Sequence, residues 1–162
     1  MAEHLIKRVQ KIPVPIDKVW DFFSDPRNLQ AITPGDVHFK ILTTDLPAEM
    51  RQGQLIDYYI EPFTGFRFFW RTEITHVRKK EYFEDVQLKG PYKLWRHEHF
   101  FKEIPGGVEM TDVVHYKAPL GILGQMANAI YLRNKLRKIF EYRFLKVESL
   151  FGKWPVTGEN PK

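Results

Sequence analysis

Residues 90–101 read Gly-Pro-Tyr-Lys-Leu-Trp-Arg-His-Glu-His-Phe-Phe. Within this stretch His97 and His99 stand two apart, between large aromatics. On a strand, that spacing puts both imidazoles on one face. Such a pair can ligate a metal, move a proton, grip the polar end of a ligand, or hydrogen-bond structurally. A metal needs at least one more ligand, and Asp85 or Asp112 can supply it. No further histidine falls on these faces, so neither a metal nor another cofactor is expected. Acid–base chemistry would use His97 as general base with Asp85 orienting it. The plainest role is a polar network that orients a ligand or knits strands together. The residues alone leave these alternatives open.

Other chemistries are excluded by inventory. The chain has no cysteine, which removes disulfides, thiolate metal sites and cysteine nucleophiles. Its two serines, Ser24 and Ser149, lie in no nucleophile elbow. No glycine-rich phosphate loop or dinucleotide fingerprint occurs. Single-strand nucleic-acid binding needs exposed aromatics interleaved with basic residues. Here alternation turns the aromatics inward, so no nucleic-acid partner is expected. The stretch "APLGILGQMANAIYL" is too short and interrupted to span a bilayer. The first residues lack a signal-peptide core, so a cytoplasmic protein is expected. The basic run Arg133–Lys138 reads as a solvated helix face, with Arg133, Arg137 and Lys138 offering at most a weak contact with anionic membrane. The net charge of +5 adds nothing more specific.

The elements that must position the histidines follow from periodicity. At 162 residues, one domain is expected over 1–151, followed by a polar tail at 152–162. "HLIKRVQKI" alternates as a first strand. Ile16, Val19, Trp20 and Phe23 then recur at helical spacing. Asp25 and Pro26 open a second short helix that ends at Pro34. Strands are expected near 36–43, 54–61, 66–77, 81–89, 93–103 and 107–117, separated by short turns. A long helix over 121–151 carries the apolar stripe Met126, Ile130, Leu136, Phe140, Phe144, Val147 and Phe151. The class is therefore α+β: a seven-stranded antiparallel sheet curled around a long C-terminal helix, with two short helices after strand 1. Such a sheet does not close tightly on one helix and leaves a cavity between them.

This order, with "PVPIDKVWDFFSDPRNLQAITP", resembles the START-related SRPBCC superfamily of helix-grip proteins, over residues 3 to 151. "FEDVQLKGPYKLWRHEHFF" and "EMTDVVHYKAPLG" are similar to its small bacterial ligand-binding branch, some members of which are labelled polyketide cyclase/dehydrase. The resemblance implies a deep cavity beneath the C-terminal helix for a hydrophobic or amphipathic ligand. It implies no fixed chemistry.

Alternation also sorts the cavity wall. Trp95, His97, His99 and Phe101 face inward, opposite Arg96 and Glu98. Met110, Asp112, Val114 and Tyr116 face in on the last strand. Phe66, Phe68, Trp70, Thr72 and Ile74 do so on 66–77, and Ile56, Tyr58 and Ile60 on 54–61. An odd-numbered loop at Gly90-Pro91 puts Phe83, Asp85 and Gln87 on the same face as His99, His97 and Trp95. The expected ligand-binding set is thus Tyr58, Trp70, Asp85, Gln87, Trp95, His97, His99, Asp112 and Tyr116. The expected partner is a small hydrophobic or amphipathic molecule: a lipid, isoprenoid, quinone or polyketide-like ring. Turnover of it by His97 in a cyclase, dehydratase or hydrolase is the alternative, and carriage of a lipid at membranes a third. The second short helix and the loops "PAEMRQGQ" and "EPFTG" would flank the entrance. The sequence does not set the oligomeric state.

Overall fold

Strand β1 (His4–Ile12) ends where Pro13 removes a backbone donor, and helix α1 (Ile16–Phe23) follows at once. The helix buries Ile16, Val19 and Trp20, and Trp20 meets Phe83 and Phe101 edge-on. The computed structural model describes residues 3–63, 65–118 and 125–155, with backbone alone at 62, 63 and 125–129.

The second short helix is present but wound as a 3-10 helix, Pro26–Ile32. The Asp25 carboxylate accepts from Arg27 N–H at 3.0 Å, and Pro26 takes the first position. Seven residues between a cap and Pro34 favour the tighter winding, because a proline disfavours helical geometry just before it. The strand expected at 36–43 shrinks to β2 (Lys40–Ile41). Gly35–Val37 forms a 3-10 turn, and His38 takes a left-handed conformation that breaks the ladder. Val37 and Phe39 are both buried, so the alternation was genuine although the backbone is not extended.

The remaining strands are β3 (Leu55–Phe63), β4 (Phe66–Arg78), β5 (Tyr82–Lys89), β6 (Leu94–Ile104) and β7 (Gly107–Lys117). They form one antiparallel sheet in the order β1-β7-β6-β5-β4-β3-β2. Irregularities in the β3–β4 and β4–β5 ladders raise the local twist and help the sheet curl. Phe66, expected inward, is 66% exposed. It is the first residue of β4, at the outer tip of the β3–β4 hairpin.

Helix α2 (Gln125–Phe151) packs across the concave face. Its buried face runs through Leu132, Leu136, Phe140 and Val147. Ile130, expected in that stripe, is 63% exposed. The six residues from 130 to 136 span about 1.7 turns, which turns Ile130 away from the face Leu136 presents. The expected start at 121 and the side chain of Met126 lie outside what is described. Gly152, at φ +94, ends the helix with its N–H on Glu148 O, as a left-handed glycine cap does. Beyond it the tail is not wholly free: the Lys11 ammonium lies 5.7 Å over the Trp154 ring. Residues 156–162 are outside the described set. No described helix is long and apolar enough to cross a membrane.

Gly107 opens β7 against the end of β1. A Cβ there would lie 2.1 Å from the Ile12 carbonyl oxygen and 3.0 Å from Pro13 Cα. Both obstacles are backbone, so Gly107→Ala is expected to destabilise by about 1–3 kcal/mol in urea unfolding. Gly35→Ala, where a Cβ meets nothing within 4 Å, is the control. Equal stability of the two variants would mean that the β1–α1 turn retreats freely.

Candidate functional site

Three neighbouring strands bring the polar residues together. The β5–β6 register opposes Phe83 to His99 and Asp85 to His97, as the odd-loop reading requires. The β6–β7 register opposes His99 to Asp112. The hydrogen bonds, however, run diagonally. His97 Nε2–H donates to Asp112 Oδ1 at 3.2 Å, and His99 Nε2–H donates to Asp85 Oδ2 at 3.1 Å. His97 Nδ1 stands 3.6 Å from Asp85 Oδ2. The orienting partner of His97 is therefore Asp112, not Asp85. Directly opposed Cβ atoms bring the His97 ring alongside Asp85, but its hydrogen-bearing nitrogen points to the next strand. His99 Nδ1 is 2.8 Å from Asp112 Oδ1, yet out of line for a hydrogen bond and without a partner. The two imidazoles lie face to face, 3.8 Å apart, between the two carboxylates.

Both rings are buried. Burial, with His99 alongside, pushes the His97 pKa down, and the Asp112 hydrogen bond does not cancel this. Burial pulls His99 the same way, but Asp112 and Asp85 outweigh it and raise its pKa. Burial alone would raise Asp112; its contacts with the two histidines reverse the sign and hold it well below the usual carboxylate range. Two like groups are thus driven apart, one favouring the neutral ring and one the charged ring.

The cavity beside this cluster has a volume of about 130 Å³. Tyr58, Trp70, Asp85, Trp95, His97 and His99 line it, as expected. Tyr58 and Trp70 are stacked at 5.6 Å, and Trp95 meets Trp70 edge-on at 5.3 Å. The 3-10 helix contributes Leu29 and Ile32, and the "PAEMRQGQ" loop contributes Met50. Of the "EPFTG" turn, Thr64 and the side chains of Pro62 and Phe63 lie outside the described residues. Three expected residues sit elsewhere. Gln87 does not line the cavity: its amide accepts from Tyr92 N–H and donates to Tyr92 O, bracing the β5–β6 turn. Tyr116 packs with Leu132 and Leu136 under the helix. Asp112 lies behind the histidines, facing a narrow cleft beside Phe140.

Arg143 is the residue the sequence reading missed. It projects from α2 to line both the cavity and the cleft, with its guanidinium 5.2 Å over the Phe140 ring. Its Nε is buried without a hydrogen-bond partner, and so is Trp70 Nε1. Burial lowers the Arg143 pKa, opposed by Asp112 and Asp85, but a guanidinium stays charged. A signal was present: Arg143 falls three residues after Phe140 and four before Val147, on the buried face of the helix. Of the basic run, Lys135 bonds Asp36 at 2.6 Å, while Arg133, Arg137 and Lys138 are exposed.

No family model and no curated protein matches the chain. Solved structures do. The Zhui aromatase/cyclase from Streptomyces sp. R1128 superposes with a TM-score of 0.74 at 13% identity, covering 92% of this chain and 93% of its own. A protein from Chromobacterium violaceum gives 0.67 at 15%, covering 91% and 97%. A START superfamily protein from Mycobacterium smegmatis gives 0.63 at 12%, covering 91% and 99%. The chain therefore has the helix-grip α+β fold of the START-related SRPBCC proteins. At these identities the likeness establishes the fold, and what the cavity holds must be argued from its walls.

Proposed function

We propose that the protein binds a small ring compound bearing an acceptor oxygen, seated against Trp70 and Tyr58 with its oxygen toward Arg143. The observation that carries this reading is that Trp70 and Arg143, which both line one aromatic cavity, each carry a buried N–H with no hydrogen-bond partner. A buried donor left without a partner costs about 1–3 kcal/mol, which a ligand acceptor recovers. Size narrows the class. The volume of about 130 Å³ approaches the roughly 150 Å³ of an apolar cavity that takes one benzene. A single ring fits that space, whereas a lipid chain, an isoprenoid or an extended polyketide exceeds it. One structural neighbour is named an aromatase/cyclase, in keeping with a ring ligand.

The test compares benzoate, 4-hydroxybenzoate and palmitate by calorimetry and by the NMR shift of the Trp70 indole N–H. The ring acids are expected to bind and to move that resonance. Trp70→Phe, which keeps the ring and removes the donor, should weaken benzoate about tenfold, or about 1.4 kcal/mol. Tighter binding of palmitate, or an unmoved indole signal at saturation, would overturn the reading.

A second reading is turnover of that ligand, with His97 as general base. It is favoured by the Asp112 hydrogen bond that orients His97 and by the exposure of His97 to the cavity.

A further inference from the structure

We infer that Asp85, His97 and His99 form a binding site for a divalent transition-metal ion, with Asp112 orienting the two imidazoles from behind. This inference does not depend on the ring ligand.

Asp85, His97 and His99 each offer one ligand atom, all within 4.8 Å of one another. Asp85 Oδ2 is 3.6 Å from His97 Nδ1 and 3.1 Å from His99 Nε2. Ligand atoms about 2.0–2.2 Å from a tetrahedral ion stand roughly 3.3 Å apart, so these separations need little adjustment.

The hydrogen bonding points the same way. The bond to Asp112 requires the hydrogen of a neutral His97 ring on Nε2. Its Nδ1 lone pair then faces the Asp85 oxygen, acceptor to acceptor. A cation between them turns that opposition into coordination. Asp112 accepts from His97 Nε2–H at 3.2 Å, and His99 Nδ1 stands 2.8 Å from the same oxygen, so ligation at His99 Nε2 would move that ring's hydrogen to the nitrogen beside Asp112. Ligating histidines habitually present their second nitrogen to such a carboxylate.

Access and charge complete the case. All three ligands line the cavity, so its free space leaves the ion an open coordination position. Two carboxylates balance a divalent ion. Arg143 then leaves one net positive charge, which suits an anionic oxygen on the open face. Imidazole and carboxylate donors without thiolate suit zinc, iron(II), cobalt(II), nickel or manganese.

The experiment uses untagged, chelator-dialysed protein and Co(II) alone, with no organic ligand, so its failure is distinct from failure of the ring reading. Saturable binding of one Co(II) per chain is expected, with the intense visible absorption of a four- or five-coordinate ion that zinc abolishes. Asp85→Asn should weaken binding at least tenfold, and Asp112→Asn ten- to a hundredfold. Circular dichroism on each variant separates loss of the site from loss of the fold. Should Asp112→Asn unfold, the wild-type and Asp85→Asn titrations decide alone. No saturable Co(II) binding to folded wild-type protein, or affinity unchanged in folded Asp85→Asn, would overturn the assignment.

Discussion

Asp112→Ala is expected to destabilise the metal-free protein by about 3–5 kcal/mol, read from urea unfolding at neutral pH. The Asp112 side chain is only 12% exposed and touches both buried imidazoles. Removing it leaves His97 Nε2–H with no acceptor and takes the nearest counter-charge from His99. The cleft on that side is lined by Met110, Phe140 and Val147 together with Arg8, Gln10 and Arg143. Asp112→Asn keeps the volume and one acceptor oxygen, so it should cost clearly less. Asp57→Ala is the contrast. That carboxylate pairs with Arg71 on the solvated face, and such pairs contribute about 0–1 kcal/mol. A loss under about 1 kcal/mol for Asp112→Ala would mean that Asp85 satisfies both histidines by itself.

Phe140→Ala is expected to cost a comparable amount, about 3–5 kcal/mol. Phe140 is 4% exposed and packs with Val114, Tyr116, Leu132 and Leu136, where α2 meets the sheet. Its ring stands edge-on to His97 at 5.7 Å and lies beneath the Arg143 guanidinium. Truncation removes one contact between helix and sheet and the apolar ring that touches both His97 and Arg143. Loss of ring-acid binding should therefore accompany loss of stability. Leu145→Ala on the opposite, exposed face of the helix should stay within about 0.5 kcal/mol. Stability unchanged by Phe140→Ala would mean that α2 does not rest on the sheet through this residue.

Helix and strand assignments were legible because burial imposes a period on one chain at a time. The two-residue alternation of Trp95, His97, His99 and Phe101 could face only one way with Arg96 and Glu98 opposite. The β5–β6 register was legible too, since proline chemistry excluded a two-residue turn. Legibility failed where two periods coincide. Val37 and Phe39 alternate as strand residues do, but the left-handed bend at His38 delivers both to the core by another route. In α2, Ile130 matched a helical stripe in composition, yet the face is chosen by the sheet beneath. Gln87 shared the inward face of its strand, but the β5–β6 turn engaged its amide first.

The amino-acid sequence was enough for the α+β class, the antiparallel pairing of the successive later strands and the inward placement of both histidines with Asp85 and Asp112. Each of these follows from local periodicity, turn chemistry and the cost of burying charge. Only the tertiary structure decided which carboxylate each histidine bonds, because a diagonal partner depends on twist and side-chain rotamer. Only the tertiary structure placed Arg143 in the cavity, because that contact joins a helix to strands far away in the chain. It also set the cavity volume at about 130 Å³, which depends on how tightly α2 settles into the curled sheet.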